Sequence, residues 1–146
     1  LHGFRDEAIR PLLDPEALRL AGLPAAKKLE RLEKANGALR KERRPEAAIA
    51  LDDTWHLDLI ADCPNRVLIE LIENNILRTR RYELALFRER ANIERATDEH
   101  ARILAALRDG DLEAACAALK QNMQSGFAPI AAWLKQRRKT EARAKR

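Results

Sequence analysis

Long apolar stretches are missing from this chain. No run approaches the roughly 18 residues that a bilayer-spanning helix needs, which argues against a membrane protein. Aromatic residues are only 4% of the sequence. Strand-like alternation of apolar and polar residues is also missing, so a β-sandwich is disfavoured. Cysteine is scarce: Cys63 and Cys116 lie far apart and form no CxxC. A disulfide framework needs more cysteines in a smaller secreted chain. The expectation is two reduced thiols in a cytoplasmic protein, with Cys116 in the run AACAAL as a small core residue. The chain opens Leu1-His2-Gly3, without an initiator Met or a basic-then-apolar leader. No signal peptide is read, and the N-terminus is taken as that of a fragment or a processed chain.

Several chemical signatures are absent as well. HExxH, ExxH, GxSxG, the P-loop and GxGxxG do not occur. A zincin, a di-iron carboxylate bundle, a serine hydrolase, a P-loop NTPase and a dinucleotide enzyme are therefore all disfavoured. The sequence is read as non-enzymatic.

What remains is rich in Ala, Leu, Glu and Arg, with 46% hydrophobic and 35% charged residues among 146. Such a chain favours helices and is long enough to bury one core. The formal net charge is +5, so its location matters. Residues 135–146 read KQRRKTEARAKR, with seven of the 28 Lys/Arg and one of the 23 Asp/Glu. The other 134 residues hold 21 basic and 22 acidic groups and are nearly neutral. A neutral body has no global field for wrapping nucleic acid. The tail is expected to be a frayed, solvated extension, with non-specific phosphate contact as the other reading.

The 3.6-residue period runs through almost the whole chain. A first helix is expected over residues 4–21, bent or divided by Pro11 and Pro15. Pro24 starts a second, to Arg43, and Pro45 a third, to residue 62. After the CPN break, a long helix covers residues 65–90, with Asn65 as its cap. Residues 91–97 read as a loop or tight turn, followed by a helix over 97–108. Asp109-Gly110-Asp111 supplies a turn and an N-cap for a helix over 112–124, ended by Ser125-Gly126. Phe127, Ile130, Trp133 and Leu134 would form a short last amphipathic helix. The expected fold is all-α, an antiparallel bundle of six or seven helices.

Polar residues interrupt the apolar faces at a few places. His56 follows Asp52 by four residues, which places both on one helical face, roughly 6 Å apart at Cβ. Leu51, Trp55, Leu59 and Ile60 flank them, so the pair points partly inward. His100 has Ile103, Leu104 and Leu107 as its neighbours one and two turns on. Two inward imidazoles and a carboxylate from separate helices suit a divalent transition metal. On spacing alone, a structural His–Asp pair is the stronger reading. Asp53 and Glu99 are read as solvated helix surface, and His2 has no evident role.

Asp52-x-x-Trp55-His56 with Leu59 and Asn65 resembles the DxxFH…N stretch of the FCD domain. That is the effector-binding domain of the FadR branch of GntR-type bacterial transcription regulators. Glu99-His100-x-x-Ile103-Leu104-x-Ala106-Leu107-x-x-Gly110-Asp111 is similar to the family's EHxxIlxAlxxGDxxxA block. Arg10-Pro11-Leu12-Leu13-Asp14-Pro15 resembles its RxxLEP start. The resemblance implies a helical bundle around a central cavity. It also implies a metal, zinc or nickel, held by one Asp and three His. Asp52, His56 and His100 match three of these, and Asn122 stands where the third His is expected. Asparagine is a neutral oxygen donor and a poorer ligand for these ions than imidazole. A metal-free polar pocket is therefore the competing reading.

The resemblance further implies a small organic or sugar acid as effector. Arg10, Arg78 and Arg81 are the candidate ligand-binding residues, because a guanidinium forks onto a carboxylate. Residues 1–134 would form the sensing and dimerising domain and 135–146 a basic tail. The family's winged-helix DNA-binding domain is expected to be absent from this chain. Partners would be the effector, a second copy in a homodimer, and DNA only through that missing domain. The alternatives are a metal-dependent hydrolytic enzyme and a ligand-free helical adaptor.

Overall fold

The computed structural model describes residues 8–145, without the side chains of residues 127–131, 133 and 134. Among the described residues there are six helices and no strand. They are α1 (Arg10–Ala21), α2 (Ala26–Lys41), α3 (Pro45–Leu59), α4 (Arg66–Phe87), α5 (Arg90–Arg108) and α6 (Leu112–Ala144). No helix of the described residues is long and apolar enough to cross a membrane. The all-α reading holds.

The helix starts follow local chemistry. Pro45 opens α3, where its missing N–H is an orphan in any case. The Asn65 side chain accepts from the Leu68 amide at 3.1 Å and caps α4. Asp111 does the same for α6 through the Ala114 amide at 3.0 Å. Before it, Gly110 takes φ 74°, a left-handed conformation that only glycine adopts without strain.

Four expectations about helix limits change. Pro15 does not divide α1, which runs from Arg10 to Ala21 with Pro15 inside it. Burial of Asp14, Pro15, Ala17 and Leu18 on one face, packed chiefly against α6, holds the segment helical. The expected stretch over residues 4–7 lies outside the described residues. Residues 91–97 are not a loop: α5 begins at Arg90 because Ile93, Ala96 and Thr97 already belong to its buried face. The turn shrinks to two residues, and the Asn92 side chain ties back to the Leu86 carbonyl at 2.8 Å.

Ser125-Gly126 does not end a helix either, since α6 continues to Ala144. A glycine inside a helix costs about 1 kcal/mol, which the flanking turns outweigh. The Ser125 hydroxyl oxygen lies 2.8 Å from the Gln121 carbonyl, one turn back, and turns its hydrogen to the Glu99 carboxylate. The expected separate last helix merges into α6, and its four marker side chains lie outside the described ones. Residues 135–145 of the basic segment are exposed as expected, but 135–144 are helical rather than frayed. Its residues are mostly strong helix formers, and Arg137 pairs with Glu141 at 3.6 Å, one turn on.

The bundle is closed by packing of α6 on α1 and α5, and of α2 on α5 and α3. The main core joins α1 to α6 through Leu18, Leu32, Trp55, Leu59, Ile72, Ile103 and Leu119. Each such side chain contributes about 1.5–3 kcal/mol by leaving water. A second cluster around Leu39, Ile49, Phe87 and Ile93 closes the other end of α3. Cys63 and Cys116 are free and buried in the main core. Burial pushes the Cys116 thiol above its ordinary value.

Candidate metal and effector site

Between the two apolar clusters, α3 turns Asp52 and His56 inward. The one-turn spacing places them together, and Trp55 next to them fixes the third partner. The Trp55 ring stacks on His100 of α5, with centroids 3.8 Å apart and planes 5° from parallel. Its indole N–H donates to the Leu32 carbonyl at 3.0 Å, so the ring is anchored from α2. His56 meets His100 edge-on at 4.8 Å. Ligand atoms of Asp52, His56 and His100 lie within 4.8 Å of one another. Both imidazoles are essentially inaccessible, and the Asp52 side chain keeps 13% exposure at a cavity wall.

Hydrogen bonds settle where the His100 proton sits. The Asn36 amide N–H donates to the Thr97 carbonyl at 2.9 Å, so its oxygen faces the other way. That oxygen is 2.9 Å from His100 Nδ1, which must therefore carry the hydrogen. Burial holds the His100 pKa down to about 4, so the ring is neutral at pH 7. Its Nε2 is then a bare lone pair. It makes no hydrogen bond among the described residues, although Asp52 Oδ1 lies 3.2 Å away. Two acceptors thus face each other in a nearly dry place, an arrangement that calls for a cation.

His56 differs in having an oxygen partner at each ring nitrogen. Its Nδ1 lies 2.9 Å from the Asp52 carbonyl oxygen and 3.5 Å from Asp52 Oδ2. Its Nε2 lies 2.7 Å from Asn122 Oδ1 on α6. Both neighbours accept only. Burial disfavours the charged ring, but the Asp52 charge outweighs burial and raises the His56 pKa. Burial likewise opposes the Asp52 carboxylate, and His56 beside it more than reverses this, holding it far below the ordinary carboxylate range. In both rings Nδ1 faces a protein oxygen and Nε2 faces a second oxygen donor across the hollow. A protein oxygen behind each ring is the usual support of a histidine that ligates through Nε2.

The hollow opens into a cavity of about 50 Å³. At roughly 10–15 Å³ per water position, that is room for a few waters or a ligand of a few heavy atoms. Five helices line it: α1 with Arg10, α3 with Asp52 and His56, α4 with Glu83, Leu86 and Phe87, α5 with Arg95, Ala96 and Glu99, and α6 with Asn122, Met123 and Gly126. Arg10 is buried and bound through two hydrogen bonds to Asp14, at 2.7 and 3.2 Å. Burial works against its charge, and Asp14 more than compensates.

The sequence-based candidates divide by location. Asp52, His56, His100 and Asn122 meet, and Arg10 borders the same cavity. Arg78 and Arg81 are exposed on α4 and stand outside the lining, whereas their neighbours Thr79 and Tyr82 are buried. Arg81 lies over the Tyr82 ring, 4.9 Å from its centroid. Asp53 and Glu99 are not solvated surface. Asp53 is buried, bonded to Arg80 at 3.2 Å, and burial with Asp52 beside it raises its pKa to about 6. Glu99 is buried and bonded to Asn122 at 2.9 Å. Sequence reasoning also missed Arg95, whose Nε is buried beside the cavity without a hydrogen bond. The placement of His100 four residues on from Ala96 carried the signal for the helical face, had the 91–97 segment been read as helix.

A family model settles the kinship, because the FCD domain matches residues 8–125. The chain belongs to the FCD family. Searches among curated proteins and solved structures gave no match. FCD domains are the effector-binding regulatory domains of GntR/FadR-type regulators and are typically non-enzymatic.

Proposed function

We propose that this FCD domain senses a short-chain organic acid through a divalent metal held by Asp52, His56, His100 and Asn122. The observation that carries this is the buried Nε2 of His100, which has no hydrogen-bond partner and lies 3.2 Å from Asp52 Oδ1. The donor set is two imidazole nitrogens and two oxygens, which suits zinc, nickel and neighbouring divalent ions. When bound, the metal supplies a fixed positive centre to which a carboxylate can coordinate.

The chain's own residues do the rest. Arg10, held by Asp14, and Arg95 offer guanidinium groups at the cavity wall for the same carboxylate. Leu86, Phe87, Ala96 and Met123 give the acid's carbon chain an apolar surface. The small volume favours a short organic acid over a sugar acid. Five helices share the lining, so a ligand that fits one packing of the bundle better than another shifts the balance between them. A DNA-binding winged helix attached to the domain would read that shift, in a homodimeric regulator with residues 1–134 as the sensing part. The basic segment 135–146 lies outside the sensing machinery in this reading.

The test is thermal unfolding of the purified chain with Zn²⁺ or Ni²⁺ and a panel of acids. The expected result is a rise in Tm with metal and a further rise with two- to four-carbon hydroxy or oxo acids. A panel acid that is turned over would instead support a metal-dependent enzyme. A Tm indifferent to every metal and acid would support the ligand-free adaptor.

A further inference from the structure

We infer that Glu99 is a positioning residue: it orients the Asn122 amide so that the oxygen, not the NH₂, faces the metal site. This rests on the metal reading given above. An asparagine at a ligand position has a weakness that histidine lacks, because its two ends look alike in shape. Turned one way it offers a donor oxygen, and turned the other way it offers two hydrogens that repel a cation. Something must choose.

Glu99 makes the choice. A carboxylate only accepts, and Glu99 Oε1 takes the Asn122 Nδ2 hydrogen at 2.9 Å. The amide oxygen is then directed to the other side, where it lies 2.7 Å from His56 Nε2. Glu99 is itself held. Its second oxygen accepts from the Ser125 hydroxyl, three residues beyond Asn122 on α6. Arg95 Nε stands 4.0 Å from Oε1, one turn earlier on α5. Glu99 is only 8% exposed, so water does not compete freely for these bonds. It also directly precedes His100, so one turn of α5 supplies both a ligand and the group that orients the ligand from α6. Gly126 leaves the far wall without a side chain, and a Cβ there would meet nothing within 4 Å.

The experiment measures Zn²⁺ affinity by competition with a chromophoric chelator, for the unaltered chain and for Glu99→Gln, Asn122→Asp and the double variant. The metal-free Tm of each serves as the control for folding. Glutamine keeps the shape of Glu99 but can donate to the asparagine oxygen and so lets the amide turn over. Glu99→Gln should weaken Zn²⁺ binding about 10- to 100-fold, the usual cost of losing a group that orients a ligand, with a nearly unchanged metal-free Tm. The double variant should recover most of that loss, because the carboxylate introduced by Asn122→Asp needs no orienting: it presents an oxygen either way round. Loss without recovery would assign Glu99 a packing role only and overturn the proposal. Equal affinity in Glu99→Gln and the unaltered chain would overturn it while leaving the metal site intact. No Zn²⁺ binding by the unaltered chain would overturn both. If Glu99→Gln fails to fold, Ser125→Ala releases one side of Glu99, and a severalfold loss is expected. Unchanged affinity there would also contradict the proposal.

Discussion

Helix α3 passes through two different interiors within one turn. Trp55 and Leu59 enter a dry apolar core with Leu32, Ile72 and Ile103. Asp52 and His56 enter a hollow where the unpartnered His100 Nε2 faces Asp52 Oδ1. The first interior stabilises the bundle by removing hydrocarbon from water. The second reduces stability, because a buried acceptor without a donor, such as His100 Nε2, costs about 1–3 kcal/mol. Placing the two side by side explains how a costly hollow persists: the apolar layers above and below it outweigh the loss. The comparison teaches that substitutions in the two regions should separate folding from ligand binding.

The largest effect is expected in the dry region. Leu32→Ala removes a fully buried side chain and should cost about 2–5 kcal/mol in urea unfolding. A cost below about 1 kcal/mol would mean that this layer is not the main support. Asn36→Ala comes next. It takes the acceptor from His100 Nδ1 and should cost about 1–3 kcal/mol. Metal affinity should fall as well, since nothing then holds the imidazole in its tautomer. Replacing both members, as Asn36→Leu with His100→Leu, should sharpen the contrast. Stability is expected to stay within about 1 kcal/mol of the unaltered chain, because neither partner is left orphaned. Metal binding should vanish. A large destabilisation in the double variant would make the hollow a structural device instead.

The smallest effect lies on the surface. Arg31 bonds Asp58 through two contacts of 2.8 Å. That pairing holds the Asp58 carboxyl below its ordinary value of 3.8. A carboxyl lowered in the folded state contributes above its unfolded value and loses that contribution as the pH falls through the folded one. Arg31→Ala should therefore leave Tm unchanged within error below the folded value and lower it only slightly at pH 7. A difference that grows toward acid would contradict the assignment.

Much of this was legible in the sequence, for a physical reason. Helical periodicity reports which side chains leave water, so the bundle, the caps at Asn65 and Asp111, and the inward turn of Asp52, His56 and His100 all followed from spacing. Breakers were read too strongly. Pro15, Ser125 and Gly126 carry local penalties that tertiary burial overrides, and the sequence does not display that burial. Asp53 and Glu99 were passed over because a charged residue beside an apolar stripe is usually solvated, and Arg95 because it lies in the segment expected to be a loop. Only the approach of α6, more than 20 residues away in sequence, turns Glu99 into a partner of Asn122. Arg78 and Arg81 illustrate the converse: a run of arginines marks no cavity until the phase of the helix is known.

The central claim is that the hollow is built to hold a cation. Native mass spectrometry of the chain titrated with Zn²⁺ tests it most directly, with His56→Ala and His100→Ala measured alongside. The account predicts one ion per chain, absent from both variants. A chain that stays metal-free at saturating Zn²⁺, or variants that keep the ion, would contradict it.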